Sequence, residues 1–277
     1  MTTPGSSLPP ALVDRAALAA RRARMRDTAL FLHHAALDEV QDRLSLVNRS
    51  FTDMAVVTSA PALWAEHFPT ARIVAEGEVL DLAPQSCDLV VHAMALHWAN
   101  DPVGQLIQCR RALRPDGLLL AVCFGGQTLH QLRASLAEAE TLITGGISPR
   151  VAPMAEIRDL GALLQRAGLA LPVADSLTLT AEYRDLPHLM RDLREMGEAN
   201  ALSARLRHPT RRAVFTRAED IYSAHFATSE NRLPATFELI CLTGWAPDES
   251  QPKPLRPGSA SARLAAALGT SETTLPD

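Results

Sequence analysis

Apolar residues in this chain fall into two kinds of run, one continuous and one spaced three to four apart, and their alternation predicts the elements. Leu89–Val91, inside a strand over Asp88–Ala93, is apolar without interruption. A strand buried on both faces belongs to a parallel sheet with helices on either side. Leu118–Phe124 is a second strong strand, and a helix over Val103–Leu113 joins the two, stopped by Arg114-Pro115-Asp116-Gly117. Ala55–Thr58 and Ala71–Ala75 read as shorter strands around a helix over Pro61–His67 that opens on proline. Upstream, Leu12–Asn48 reads as one or two amphipathic helices with Leu30, Leu37, Val40, Leu44 and Val47 near one face. Downstream come helices over Thr128–Leu142 and Ala155–Ala167, the latter with Gly168 as C-cap, and an alternating strand at Ser176–Tyr183. Helices about Leu186–Leu206 and Pro209–Phe226 precede a last strand at Ala235–Trp245.

This order predicts an α/β fold, an open, mostly parallel Rossmann-like sheet with N-terminal helices and a helical cap inserted before the final strand. The expected organisation is a disordered 1–11 and a single domain over 12–245, followed by a Pro/Ser-rich tail over 246–277. Within that domain, 12–50 are helical, 51–183 carry the core sheet and 184–230 the cap, leaving 235–245 for the last strand. Ala260–Leu268 in the tail could form a short helix.

At 277 residues, 47% hydrophobic and 21% charged, the composition is that of a globule with a sizeable core. A net charge of −4 gives no general case for nucleic acid. Cys87, Cys109, Cys123 and Cys241 lie far apart, without zinc-ligand spacing, and suggest reduced thiols in a cytoplasmic protein with no metal. No apolar run approaches the ~20 residues that span a bilayer. The Arg- and Ala-rich stretch Asp14–Met25 superficially resembles a transit peptide, but Asp14 and the helical periodicity that follows favour a folded helix. Arg21, Arg22, Arg24 and Arg26 form a cluster that is either a solvated face or a grip on an acidic partner.

Ligands of open α/β sheets bind outside the carboxyl ends of the strands, here Ala93–Asn100 and Cys123–Thr128. His97 is a candidate general base and Trp98 a wall for cofactor or peptide substrate, or else His97 bonds a loop carbonyl and Trp98 packs on the next helix. His92, mid-strand, suits a core histidine facing a helix, and His33-His34 cannot both face one ligand and default to the surface. Gly125-Gly126-Gln127-Thr128 reads first as a cap of the next helix, with substrate contact as a second role. Arg150, closing Gly145-Gly146-x-Ser148-Pro149-Arg150, is either a carboxylate anchor or part of a turn. Tyr183, Asn200, Tyr222 and Trp245 fall in the cap region as packing residues.

Taken together, Asp88-Leu-Val-Val, Leu96-His97-Trp98-x-Asn100-Asp101, Leu113-Arg-Pro-Asp-Gly117-Leu and Gly125-Gly126-x-Thr128-Leu129 resemble class I S-adenosylmethionine-dependent methyltransferases. Within that superfamily the chain resembles malonyl-carrier-protein O-methyltransferases and, more closely, methyltransferase-like assembly factors of respiratory complex I. The closer likeness rests on the Gly145–Arg150 segment, Asp159-Leu-Gly-x-Leu-Leu-x-Arg-Ala-Gly168, Met190-x-Asp-Leu-Arg-x-Met-Gly197-x-x-Asn200 and Ala235-Thr-Phe-Glu. The resemblance implies S-adenosylmethionine as cofactor and a protein substrate or partner, such as a complex I subunit. For some of these factors it implies arginine hydroxylation. It also implies catalytic or substrate-orienting roles for His97, Trp98 and Asn100, and substrate contacts from Gly125, Gly126, Gln127 and Arg150. Cofactor contacts would come from Thr58, Ser59, Glu76, Gly77 and Glu78, with the backbone of His92, Ala93 and Met94.

The chain departs from the family at the cofactor half. The loop after the first strand reads Thr58-Ser59-Ala60-Pro61 where the family has Gly-x-Gly, and the short stretch Ala62–Arg72 leaves no room for the family's second strand. On that alignment Glu76 is the adenine-side acidic residue and not the ribose clamp. Two function classes follow: a methyltransferase or related enzyme, and a non-catalytic assembly factor that keeps the partner-binding half. A nucleotide-dependent oxidoreductase is disfavoured, because Gly-x-Gly-x-x-Gly is missing.

Overall fold

A computed structural model describes residues 11–252, so the expectations for 1–10 and 253–277, including the helix at Ala260–Leu268, lie outside the described residues. The main unit ends at Pro247. After it, residues 248–252 hold a turn in which the Asp248 carboxylate accepts the Ser250 amide at 2.9 Å.

Six strands, β1 (Met54–Thr58), β2 (Arg72–Ala75), β3 (Cys87–Ala93), β4 (Leu113–Phe124), β5 (Ala170–Tyr183) and β6 (Leu233–Trp245), form one sheet in the order β2-β1-β3-β4-β6-β5. The first four are parallel, while β6 runs antiparallel to both β4 and β5. Successive side chains of β1, β3 and β4 divide between two cores: Val56, Leu89, Val91, Leu118 and Leu120 face one, and Ala55, Val57, Val90, Leu119 and Ala121 the other. The continuous apolar run is thus two buried faces, as read from the sequence.

Eight helices cover the faces and ends among the described residues: α1 (Arg15–Arg22), α2 (Phe31–Leu46), α3 (Pro61–His67), α4 (Pro102–Ala112), α5 (His130–Thr144), α6 (Ile157–Arg166), α7 (Leu186–Glu195) and α8 (Arg212–Phe226). The N-terminal stretch is two helices split by a 3-10 turn at Asp27–Ala29. The cap is α7 and α8 between β5 and β6. Its first helix stops at Glu195, well short of Leu206, because Gly197 adopts φ +77° and turns the chain. A side chain at Gly197 would also run into Met25. The second starts at Arg212 and not Pro209. Gly125–Thr128 do not cap α5: the residue preceding that helix is Leu129, in left-handed conformation at φ 54°, with no side-chain cap.

The gap left by the missing strand is closed by direct pairing of β2 with β1, Thr58 opposite Ala75. Glu76 therefore follows directly after β2, at the end of a strand that flanks β1. His33 is also not a surface residue. It is buried and accepts a hydrogen bond at 3.3 Å from the Nε1 of the fully buried Trp64, while His34 is exposed.

Candidate functional site

Beyond the carboxyl ends of the parallel strands lies a buried polar cluster centred on Glu198, a residue the sequence did not single out. Gly197 swings Glu198 inward just past the end of α7. Its carboxylate accepts the indole Nε1 of Trp98 at 2.6 Å and the Nε2 of His97 at 3.2 Å, and pairs with Arg22 of α1 at 2.6 Å. Burial alone would raise its pKa; the Arg22 charge and the His97 and Trp98 hydrogen bonds overcome this and hold it well below the usual carboxylate range. His97 stacks on Phe124 with ring centroids 4.5 Å apart, and its Nδ1 faces the Phe124 amide at 3.5 Å.

Arg22 also donates to Glu76 at 3.0 Å and to the Met94 carbonyl at 3.4 Å, and Arg15 reaches the Glu76 and Trp98 carbonyls at 3.2 and 3.4 Å. The cluster Arg21–Arg26 is therefore only partly a solvated face, since Arg22 is the cation that joins α1 to the strand ends.

Trp98 and Glu198 form one wall of a cavity of about 210 Å³ beneath the cap. Most of the remaining lining is apolar, from Phe124, Leu132, Met154, Met190, Phe215 and Phe237, with Arg150, Arg194 and Asn200 at polar positions. Burial of such surface favours an apolar or partly apolar ligand group.

The expected site residues divide. His97 and Trp98 meet at Glu198. Asn100 does not join them: its side chain clamps Val13, accepting the amide at 2.8 Å and donating to the carbonyl at 3.1 Å, and also donates to Glu78 at 3.2 Å. His92 is 1% exposed and bonds Gln105 of α4 at 3.2 Å; burial pushes its pKa down to about 4, so its side chain is a core group. Ala93 sits in the sheet ladder opposite Val122, and the Met94 amide donates to the Val122 carbonyl, which leaves the Met94 carbonyl to Arg22. The Gly77 and Glu78 carbonyls both accept the side-chain amide of Gln105. Thr58 is buried and accepts the Ala60 amide at 3.1 Å.

Gly125, Gly126 and Gln127 form a turn around acidic side chains and not a helix cap. A Cβ at Gly125 would come within 2.6 Å of the Glu238 carboxylate, and one at Gly126 would strike Glu156. The Gln127 amide donates to Glu238 at 2.9 Å and the Thr128 hydroxyl to its carbonyl at 3.2 Å. Arg150 is an internal anchor: it grips the buried Glu140 at 2.5 Å and the Thr210 hydroxyl at 2.6 Å, while Ser148 bonds the same carboxylate. Asn200 lines the cavity and donates to the Pro149 carbonyl at 2.8 Å; Tyr183 and Tyr222 bond Asp192 and the Pro234 carbonyl as packing residues.

One test of fit to the superfamily's cofactor is local. Ser59 Oγ and Glu76 Oε2, after the adjacent strands β1 and β2, are buried and have no hydrogen-bond partner. Unpaired buried polar atoms are costly, and a ligand bearing hydroxyl and amino groups would satisfy both. The residues thus fit S-adenosylmethionine at this point, although no glycine lies in Thr58–Pro61.

Residues 30–121 match a methyltransferase domain family. With the parallel sheet and the site at the strand ends, this match and the relatives below support a member of the class I S-adenosylmethionine-dependent methyltransferase superfamily. It is 41% identical over 197 residues to the mitochondrial arginine-hydroxylase NDUFAF5 of Dictyostelium discoideum, covering 71% of this chain and 45% of that one. To the human protein of the same name it is 37% identical over 195 residues, covering 70% and 56%. A malonyl-[acyl-carrier protein] O-methyltransferase of Xylella fastidiosa is 34% identical over 179 residues, covering 65% and 58%. The chain thus spans about half the length of the curated relatives it matches.

Proposed function

We propose that this chain is a methyltransferase-like factor acting on a protein in the assembly of respiratory complex I, with the cavity under the cap receiving part of that protein. One observation carries the reading: the buried Glu198 carboxylate, oriented by Trp98, His97 and Arg22, at the inner wall of an apolar cavity. Similarity to NDUFAF5 proteins supports the assembly role.

S-adenosylmethionine, when bound, supplies a methyl group on a positively charged sulfur. Ser59 and Glu76 would hold it through their free acceptor atoms, and Arg22 would share Glu76 with it. Glu198 places a fixed negative charge beside the cavity, and the Trp98 and Phe124 rings keep water from its inner wall. His97, set between Glu198 and the Phe124 amide, positions the carboxylate.

A second reading is arginine hydroxylation, the activity in the names of the NDUFAF5 relatives. The observation that favours it is Arg22 itself: Glu76 and Glu198 already hold one guanidinium, so the site has the carboxylates that recognise this group. All four cysteines are free and buried, which supports the proposed cytoplasmic placement in a reducing compartment. Among the described residues no helix is long and apolar enough to cross a membrane.

The deciding experiment is deletion of the gene in its host, with complex I assembly followed on native gels. Loss of the assembled complex, restored by the wild-type chain and not by Glu198→Gln, is the expected result; normal assembly in the deletion strain would overturn the reading. Calorimetric titration with S-adenosylmethionine tests the cofactor separately, with binding expected to raise thermal stability.

A further inference from the structure

We infer that the cavity mouth is a docking surface for an acidic polypeptide segment with apolar side chains. This rests on the protein-substrate reading above and names the chemistry of the segment that docks.

Between Arg184 and Arg217 the cap carries eight arginines and four acidic residues, in a chain whose net charge is −4. Nearby acidic groups are already committed: Asp14 to Arg205 and Arg207, Glu195 to Arg26, Glu198 to Arg22. Arg21 and Arg24 at the end of α1, and Arg194 on α7, have no acidic partner among the described residues. The Arg21 Nε is buried without any hydrogen-bond partner. Desolvation, then the charges of Arg24, Arg205 and Arg194, lower the Arg21 pKa, so these four guanidiniums feel one another. Arg194 is exposed and also lines the cavity, which sets it at the entrance.

Like charges gathered without counterions are unfavourable in the free protein and become favourable when an anionic partner arrives. Inorganic phosphate or a nucleic acid would satisfy the arginines alone. The adjoining wall of Leu132, Met190, Phe215 and Phe237 requires apolar groups as well, which an acidic peptide supplies.

The test is fluorescence anisotropy with the full chain and a short labelled peptide of alternating glutamate and leucine. The wild type is expected to bind it, more weakly as salt rises. The triple variant R21E/R24E/R194E is expected to lose at least about tenfold in affinity. R111E/R158E/R166E, which makes the same charge change at exposed arginines elsewhere, is expected to stay within about twofold. Should the patch triple fail to fold, the single variant R24E, on an exposed residue, is expected to lose about threefold. Equal losses in both triples, no binding by the wild type, or equally tight binding of a single-stranded oligonucleotide would each overturn the inference. The patch triple restoring complex I as well as the wild type does would sink the docking surface and leave the proposed function standing. Failure of the wild type itself to restore the complex would sink the function.

Discussion

The two halves of the sheet treat the space beyond their strands in opposite ways. After β1, β2 and β3 the chain fills it with its own polar groups: Arg15 and Arg22 from α1, Asn100, and Gln105 from α4. Beyond β4 and beneath the cap it leaves a cavity with mostly apolar walls. A half of the site that has given up its glycines can still be ordered by internal ion pairs, while the half that must receive something stays open. Glu198 stands on the border, with Arg22 from the filled side and Trp98 facing the open one.

The largest effect that would sharpen this contrast is expected from Glu198→Ala, which removes one of the two carboxylates holding the buried Arg22 and leaves the Trp98 indole without its acceptor. It should lower unfolding free energy by roughly 3–5 kcal/mol in urea titration. A loss below about 1 kcal/mol would mean the border is held by something else. Phe237→Ala, which enlarges the open side, should cost about 3 kcal/mol and leave any S-adenosylmethionine affinity unchanged, as read by calorimetry. A change in that affinity would show the halves to be coupled. Gly125→Ala, pressing on the Glu238 carboxylate, should cost about 1–3 kcal/mol in the same titration.

Acid is a gentler probe of the filled half. Burial lowers His33 to about 3 and His92 to about 4, so the unfolded chain takes up these protons below pH 6.5 while the native one resists. Stability is therefore complete above pH 6.5 and falls as pH drops toward 4, by up to about 1.4 kcal/mol per unit for each histidine. His92→Asn should flatten that slope, measured as midpoint against pH. The depressed Glu198 carboxylate adds its own loss at lower pH, below the ordinary carboxylate range.

What could be read from the residues differs between the halves for a physical reason. The strands at Leu89–Val91 and Leu118–Phe124 were legible because burial on two faces leaves an unbroken apolar signal, and α3 was found at its observed bounds from Pro61. The helix drawn through Leu206 was too long because its apolar spacing continues beyond Gly197, whose left-handed turn leaves no periodic trace. Gly125–Thr128 looked like a cap because the group they serve, Glu238, comes from a strand 111 positions further on. Arg22 and Glu198 were missed as a pair for the same reason, since a charged residue on a helix looks solvated until its distant partner is known. The one local clue was the Met-Gly-Glu turn within a motif already marked by the family resemblance.

The Arg22–Glu198 ion pair joins positions 176 residues apart. During synthesis, α1 leaves the ribosome long before the residue that completes its pairing exists, and it must wait with its arginines solvated while the sheet is built. The site is therefore among the last features to form, and a nascent chain halted before the cap would carry the sheet strands β1–β5 without a finished site.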